Sequence, residues 1–295
     1  MSRITIGSAP DSWGVWFADD PKQTPWHRFL DEVAEAGYEW IELGPYGYLP
    51  TDAARLADEL AARRLRVSAG TVFAALHRPG RYDEAWSQVE RVAALTRDLG
   101  GTHLVVIPGQ WRSDTTGEAL EPRTLDEDGW RRLTSGADRL GREVLEHYGL
   151  RMAFHSHADT HVDTQEQVER FLELTDPEVV GLCLDTGHVA YSGGDSLQLI
   201  REHPERIAYA HLKQVDPQVV AKVRQDDLGF GDAVALGVMV EPPRGVPDMP
   251  PVLEALEGLG RDVFAVVEQD MYPLDSFDQP LPVARRTYSY LRGCR

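Results

Sequence analysis

The sequence predicts a single α/β domain folded as a closed (β/α)8 barrel of the TIM-barrel class. Three observations predict it. Eight short β-rich runs alternate with longer amphipathic stretches along 295 residues, the pattern of a parallel sheet covered by crossover helices. Several runs, such as His103-Leu104-Val105-Val106-Ile107, are nearly continuous in apolar residues, as strands buried on both faces must be. Finally, the last four runs end on residues that ligate metals, and in such a barrel the C-terminal strand ends converge on one site. A doubly wound open sheet shares the alternation. However, no Gly-x-Gly-x-x-Gly follows the first run and no Walker-type loop is present. Repeats, low-complexity segments and a convincing linker are lacking too, so residues 1–295 read as one domain.

Taken in order, the first strand is expected at 3–7. A helix at 25–36 sets Phe29, Leu30, Val33, Ala34 and Ala36 on one side and stops at Gly37. Strand 40–43 follows, then helix 52–63 with Leu56 and Leu60 at i, i+4, then strand 65–70. Helix 82–99 carries Trp86, Val89, Val92, Ala93 and Leu95 and is closed by Gly100-Gly101. Strand 103–107 leads to a long helix at 126–148, capped by Asp126. Strand 150–155 precedes helix 165–174, which Thr164 caps while Glu166 and Glu169 suit its early turns. Strand 180–184, a helix at 196–202 started by Asp195, and strand 206–212 come next. Residues 225–251 are rich in Gly, Pro and Asp and long for a βα connection, so they read as an irregular functional loop or lid. Strand 263–268 and a final helix at 281–292 complete the chain.

Composition narrows the function. The formal net charge of -18 argues against nucleic acid and anionic membranes, both of which need clustered Lys and Arg. Two cysteines, Cys183 in an apolar strand and Cys294 near the end, imply no disulfide framework and suit a reducing compartment. The start of the chain lacks a basic region followed by an apolar one, so no signal peptide is expected. No apolar run approaches the roughly 20 residues that span a bilayer. The expectation is a soluble cytoplasmic protein, with self-association left open.

The strand ends carry the chemistry. Leu182-Cys183-Leu184-Asp185-Thr186-Gly187-His188 runs from an apolar strand onto a carboxylate, then through a glycine onto a histidine. Ala208-Tyr209-Ala210-His211-Leu212-Lys213 and Val263-Phe264-Ala265-Val266-Val267-Glu268 end in the same way. Asp185, His211 and Glu268 make an N/O set suited to Mn²⁺ first, or to Co²⁺, Fe²⁺ or Zn²⁺. The fifth strand supplies a fourth ligand from Phe154-His155-Ser156-His157. His155 and His157 lie two apart, hence on one side of an extended strand, and Lys213 shares the side of His211. His155 and His157 compete for that fourth place, with His157 taken as the ligand. Glu42, at the end of the second strand, orients substrate, acts as a base or pairs structurally. Gln110, after the fourth strand, is a further substrate contact. Trp13, Trp16, Phe17, Tyr46, Tyr48 and Trp111 are expected to wall a sugar pocket or cap the barrel rim, with Trp13 the substrate contact.

These pieces resemble the xylose isomerase-like barrel family of sugar-phosphate isomerases and epimerases, and within it the inosose (2-keto-myo-inositol) dehydratase branch. The matching residues are Gly7-Ser8-Ala9-Pro10-Asp11-Ser12-Trp13, Glu42-Leu43-Gly44, and His155-Ser156-His157 with Thr160 and Thr164. They continue through Asp185-Thr186-Gly187-His188, Gly193-Gly194-Asp195, Arg206-Ile207, His211-Leu212-Lys213 and Glu268-Gln269-Asp270. The family's isomerases and epimerases place a glutamate on the fifth strand; the histidines here favour the dehydratase branch. The chain departs from that branch at Pro242-Pro243-Arg244-Gly245 and at Gln214.

The resemblance implies a divalent metal held by Asp185, His211, Glu268 and a fifth-strand residue. It also implies a metal-dependent carbon-oxygen lyase of inositol and carbohydrate catabolism, acting on a small keto-cyclitol or keto-sugar. The reaction is proton abstraction beside a ketone followed by loss of a β-hydroxyl. His155 or His157 would serve as acid or base, Lys213 would stabilise enolate charge or orient a substrate hydroxyl, Glu268 would sit at the reacting centre, and His188 would bind a substrate hydroxyl or relay protons. Reprotonation of the same intermediate instead yields a sugar isomerase or epimerase. The pattern is also compatible with a 3-keto-glycoside-cleaving enzyme and, outside catalysis, with a sugar-binding module.

Overall fold

The computed structural model describes residues 4–294, so Arg3 of the first expected strand lies outside the described residues. The barrel strands are β1 (Ile4–Ser8), β2 (Trp40–Glu42), β3 (Arg66–Ala74), β4 (His103–Pro108), β5 (Arg151–His155), β6 (Val180–Asp185), β7 (Ile207–Leu212) and β10 (Val263–Val267). They close in the order β1-β10-β7-β6-β5-β4-β3-β2, each pair parallel. Two further strands, β8 (Gln214–Val215) and β9 (Met239–Val240), form a separate antiparallel ribbon. The closed (β/α)8 barrel is thus the observed architecture.

Helices α1 (Trp26–Glu35), α2 (Ala53–Ala62), α3 (Tyr82–Asp98), α4 (Glu127–Tyr148), α5 (Gln165–Leu174) and α7 (Ser196–Glu202) fall where the apolar periodicity or the caps put them, and the last helix, α11 (Pro280–Gly293), falls where it is expected. Their caps are the expected ones. Asp126 accepts from the Gly129 N–H at 2.7 Å. Thr164 and Gln167 form a capping box, and Asp195 accepts from the N–H groups of Leu197 and Gln198. Four helices carry no clear sequence signal: α6 (Thr186–Ser192), α8 (Pro217–Asp226), α9 (Phe230–Ala235) and α10 (Met249–Glu257). The segment 225–251, expected as irregular, is built from α9, β9 and the adjoining ends of α8 and α10. Phe230, Val234, Val238 and Met239 bury themselves with Val215, Val220 and Val223 in a cluster of their own. Gly229 and Gly237 bracket α9 so closely that no helical period can show.

The core has two parts. Outward strand residues, among them Leu104, Val106, Met152, Phe154, Leu182, Leu184 and Ile207, pack against the helices. A second cluster, including Ala69, Val105, Ala153, Cys183, Tyr209 and Val266, fills the barrel interior. Side chains alternate across a strand. The next inward positions above Ala153, Cys183, Tyr209 and Val266 are therefore residues 155, 185, 211 and 268. The apolar interior is a plug, and the polar residues form the layer resting on it.

Trp13, expected to contact substrate, belongs to the core instead. It is fully buried, its Nε1–H donates to Glu32 Oε2 at 2.9 Å, and its ring meets Phe29 edge-on at 5.0 Å. The 3-10 turn Pro10–Trp13 aims it at α1 rather than at the barrel mouth. Trp13→Phe is expected to cost about 1–3 kcal/mol of stability by removing this donor, with KM unchanged. Denaturant unfolding and steady-state kinetics check both; a raised KM with intact stability would return Trp13 to the binding site.

Candidate functional site

The Asp-Thr-Gly-His element owes its composition to four separate tasks. Asp185 caps α6, its Oδ1 accepting from the His188 N–H at 2.8 Å, which leaves Oδ2 turned into the barrel mouth. The Thr186 hydroxyl donates to the Lys213 carbonyl at 2.7 Å and accepts the Lys213 N–H at 2.9 Å, clasping the end of β7. Gly187 leaves room for the lysine stem: a Cβ there would sit 2.5 Å from Lys213 Cγ. His188 packs behind, at 3.9 Å between ring centroids from His157.

Above the apolar plug, one atom each from His155, Asp185, His211 and Glu268 lie within 4.8 Å of one another, and all four residues are buried. Asp185 Oδ2 stands 3.4 Å from His155 Nε2 and 3.5 Å from His211 Nδ1, which is 3.0 Å from Glu268 Oε2. Yet Asp185 Oδ2 and His211 Nδ1 are buried without a hydrogen-bond partner. Close approach without hydrogen bonds, in an N/O donor set, fits a divalent cation. Burial works against a charged His211 ring, but Cys183, Glu268 and Glu42 outweigh it and hold the ring protonated well above the usual histidine range. In the absence of an ion, a proton answers the same negative field.

Glu42 orients His211. Its Oε2 accepts from His211 Nε2 at 2.9 Å, and its Oε1 accepts from the Thr71 hydroxyl. When a cation displaces the second proton, Nε2–H stays with Glu42 and the Nδ1 lone pair faces the centre, the usual way a carboxylate sets a ligating imidazole. Both oxygens of Glu42 meet protein partners, and the residue also lines the cavity over the centre. Glu42→Gln is expected to weaken Mn²⁺ binding by about 10–100-fold, measured by calorimetry on chelator-stripped protein. Unchanged affinity would remove Glu42 from this role.

Lys213 emerges just beyond β7, as its spacing from His211 suggests. Its Nζ lies 2.9 Å from Asp270, 3.0 Å from Glu268, 3.4 Å from Asp185 and 3.9 Å from Asp11. Burial disfavours the ammonium, but these carboxylates outweigh burial and hold its pKa well above the ordinary lysine value. Asp11 bears the converse penalty: burial and the nearby Glu268 push its carboxyl well above the usual range. Asp11 and Asp270 lie in motifs that carry the resemblance but are not among the site residues expected from the sequence. Asp270 does carry a signal, since it lies two beyond Glu268. Its Oδ1 also accepts from Trp16 Nε1 at 3.0 Å.

Two histidine expectations change. The fourth residue of this cluster is His155, where His157 is the expected one. β5 ends at His155, so the two-residue alternation no longer applies beyond it. His157 turns instead so that Nδ1 faces the Ala158 carbonyl at 2.9 Å, with Phe230 edge-on at 5.0 Å. His188, expected to touch substrate, is not among the residues lining the cavity. Its Nδ1 accepts the Ala158 N–H at 3.2 Å, and His157 stands in front of it.

The cavity over this centre has a volume of about 710 Å³, well within the range for small-molecule sites. Its floor carries His155, His157, His211, Lys213 and Glu268, and its wall includes Gln110. Gln110 donates its side-chain amide to Asp114, whose carboxyl burial pushes up to about 7. Of the aromatic residues picked from the sequence, Trp16, Phe17 and Tyr46 line the cavity. Trp13, Tyr48 and Trp111 are buried in the framework.

A closed barrel whose polar strand ends surround a cation-seeking cluster at the foot of such a cavity defines an enzyme of the (β/α)8 class. The chain belongs to the xylose isomerase-like TIM barrel family, whose family model matches residues 30–294. It is 29% identical over 299 residues to an inosose dehydratase of Geobacillus thermodenitrificans (strain NG80-2), covering 99% of this chain and 97% of that one. It is 33% identical over 288 residues to the rhizopine catabolism protein MocC of Rhizobium meliloti, covering 94% and 85%. Among solved structures, the IolI protein with a bound zinc atom matches with a TM-score of 0.73 over 98% of each chain, at 18% identity; this likeness shows the shared fold. Among the described residues, no helix is long and apolar enough to cross a membrane.

Proposed function

We propose that this protein is a divalent-metal-dependent hydro-lyase that removes water from a keto-cyclitol or keto-sugar. The observation that carries the reading is the convergence of His155, Asp185, His211 and Glu268 beside the buried ammonium of Lys213. The relationship to inosose dehydratases over nearly the whole chain supports the substrate class. The donor set suits Mn²⁺ first, with Co²⁺, Fe²⁺ or Zn²⁺ also accommodated. When bound, the ion supplies Lewis-acid polarisation of the substrate carbonyl.

The chain's own groups do the rest. Lys213 places a fixed positive charge at the cavity floor, where negative charge develops as the α-proton leaves. His157 donates its Nδ1 proton to the Ala158 carbonyl, which leaves a lone pair on Nε2 to take the α-proton. That proton then returns to the departing β-hydroxyl, so water leaves and no net proton is consumed. Trp16 and the aromatic wall hold the ring over the floor. The test is incubation with 2-keto-myo-inositol and a panel of 3-keto sugars in Mn²⁺, following product by mass. Loss of one water is expected. Unchanged mass with an altered NMR spectrum would replace the lyase by an isomerase or epimerase. No conversion, together with no bound divalent ion, would overturn the enzymatic reading of the centre.

A further inference from the structure

We propose a second divalent-metal site, formed by His77, Glu121 and His161 at the edge of the barrel mouth, which takes a zinc-type ion and ties three loops together. The three residues come from different connections: His77 follows β3, Glu121 lies between β4 and α4, and His161 follows β5. One atom from each falls within 4.8 Å of the others. Both histidines are buried, His77 being 3% and His161 2% exposed. None of the three lines the central cavity, so the cluster is separate from the first centre.

The proton positions point to a cation. His161 Nδ1 lies 3.1 Å from the carbonyl of Arg123. A carbonyl only accepts, so Nδ1 carries a proton and, in the neutral ring, Nε2 bears a lone pair. That lone pair faces Glu121 Oε1 at 3.3 Å. Two electron-rich atoms remain that close only with positive charge between them. His77 Nε2 meets the same oxygen at 2.8 Å, and the two imidazoles touch at 4.5 Å between centroids, tilted by 71°. A proton on His161 alone would bridge its Nε2 to Glu121, since a neutral His77 donates from Nε2, but it leaves an imidazolium buried against the second ring. One ion shared by both rings and the carboxylate avoids this. Two imidazoles with one glutamate form a familiar zinc triad, and a ligating imidazole held by a backbone carbonyl is its usual support. Arg132 Nε steadies the loop by donating to the His77 carbonyl at 2.7 Å.

Arg78 is the competitor. Its Nη2 reaches Glu121 Oε1 at 3.1 Å from the solvent side, with 38% of its side chain exposed. It can swing outward when an ion arrives, and Glu121 keeps a second oxygen that takes none of these contacts.

The test uses the full chain, stripped by chelator, loaded with Zn²⁺, desalted, and analysed for zinc per chain by mass spectrometry. Wild type is expected to hold two Zn²⁺, His161→Gln one, Asp185→Asn one, and the Asp185→Asn/His161→Gln double variant none. Arg78→Ala, which removes the competing guanidinium without touching a ligand, is expected to tighten the second Zn²⁺ several-fold in calorimetry. This variant decides the matter if His161→Gln fails to fold. One Zn²⁺ per chain in both wild type and Arg78→Ala, or zinc content unaffected by a folded His161→Gln, would overturn the proposal and leave a protonated histidine–carboxylate network in its place.

Discussion

Asp185→Asn is expected to lower kcat/KM by about 10³-fold or more, equivalent to about 4 kcal/mol of transition-state stabilisation, and to abolish binding of the divalent ion at the strand ends. The substitution is informative because Asp185 does two jobs with two oxygens. Oδ1 caps α6 through the His188 N–H, and an asparagine oxygen caps a helix about as well. Oδ2 is the buried, unpartnered atom facing His155 and His211. In the variant an NH2 group takes that place, and it has no lone pair to offer a cation. The fold should therefore survive while the centre is lost. Calorimetric titration with Mn²⁺, unfolding curves and turnover of the keto-cyclitol check the three parts separately. A variant that keeps a tenth of wild-type activity and still binds the ion there would refute the assignment of Asp185 as a ligand.

Lys213→Met is expected to reduce kcat by about 10²–10³-fold, the range for removing one preorganised electrostatic stabiliser. Chelator-stripped protein should also lose about 3–5 kcal/mol of stability, because one partner of a buried charge network is gone. Four carboxylates surround the ammonium between 2.9 and 3.9 Å, and without it Asp11, Asp185, Glu268 and Asp270 face one another. Part of the penalty is relieved by a proton on Asp11, whose carboxyl is already pushed up by burial and by Glu268. Saturating Mn²⁺ should restore part of the stability, since the ion neutralises Asp185 and Glu268, but it should not restore kcat. Urea unfolding with and without Mn²⁺, alongside turnover, separates these effects. Turnover close to wild type would exclude Lys213 as the stabiliser of developing charge.

The parts of the fold legible in the sequence are those with long or strong local signals. Strands such as β4, β6 and β10 carry nearly continuous apolar runs, α3 has a periodic apolar face closed by Gly100-Gly101, and α4 and α5 begin at their own caps. α6, α8, α9 and α10 lack that signature because each is short or bounded by Pro or Gly, and neighbouring elements bury them rather than their own periodicity. At the centre, Asp185, His211, Lys213 and Glu268 are legible because each lies at or just beyond a strand end. His155 is legible only as one of two choices, since strand alternation cannot tell which histidine remains on the strand.

What the chain determines by itself is therefore the alternation that closes the barrel and the residue types carried to its mouth. What only the tertiary structure decided is which way each side chain turns once its strand has ended. There the local rule of alternation stops, and contacts between distant parts of the chain take over. α1 claims Trp13 through Glu32, and the Ala158 carbonyl and Phe230 claim His157. Glu42 is tied to His211 across 169 positions of sequence. His77, Glu121 and His161 share no motif at all, and only barrel closure brings their three loops to one point.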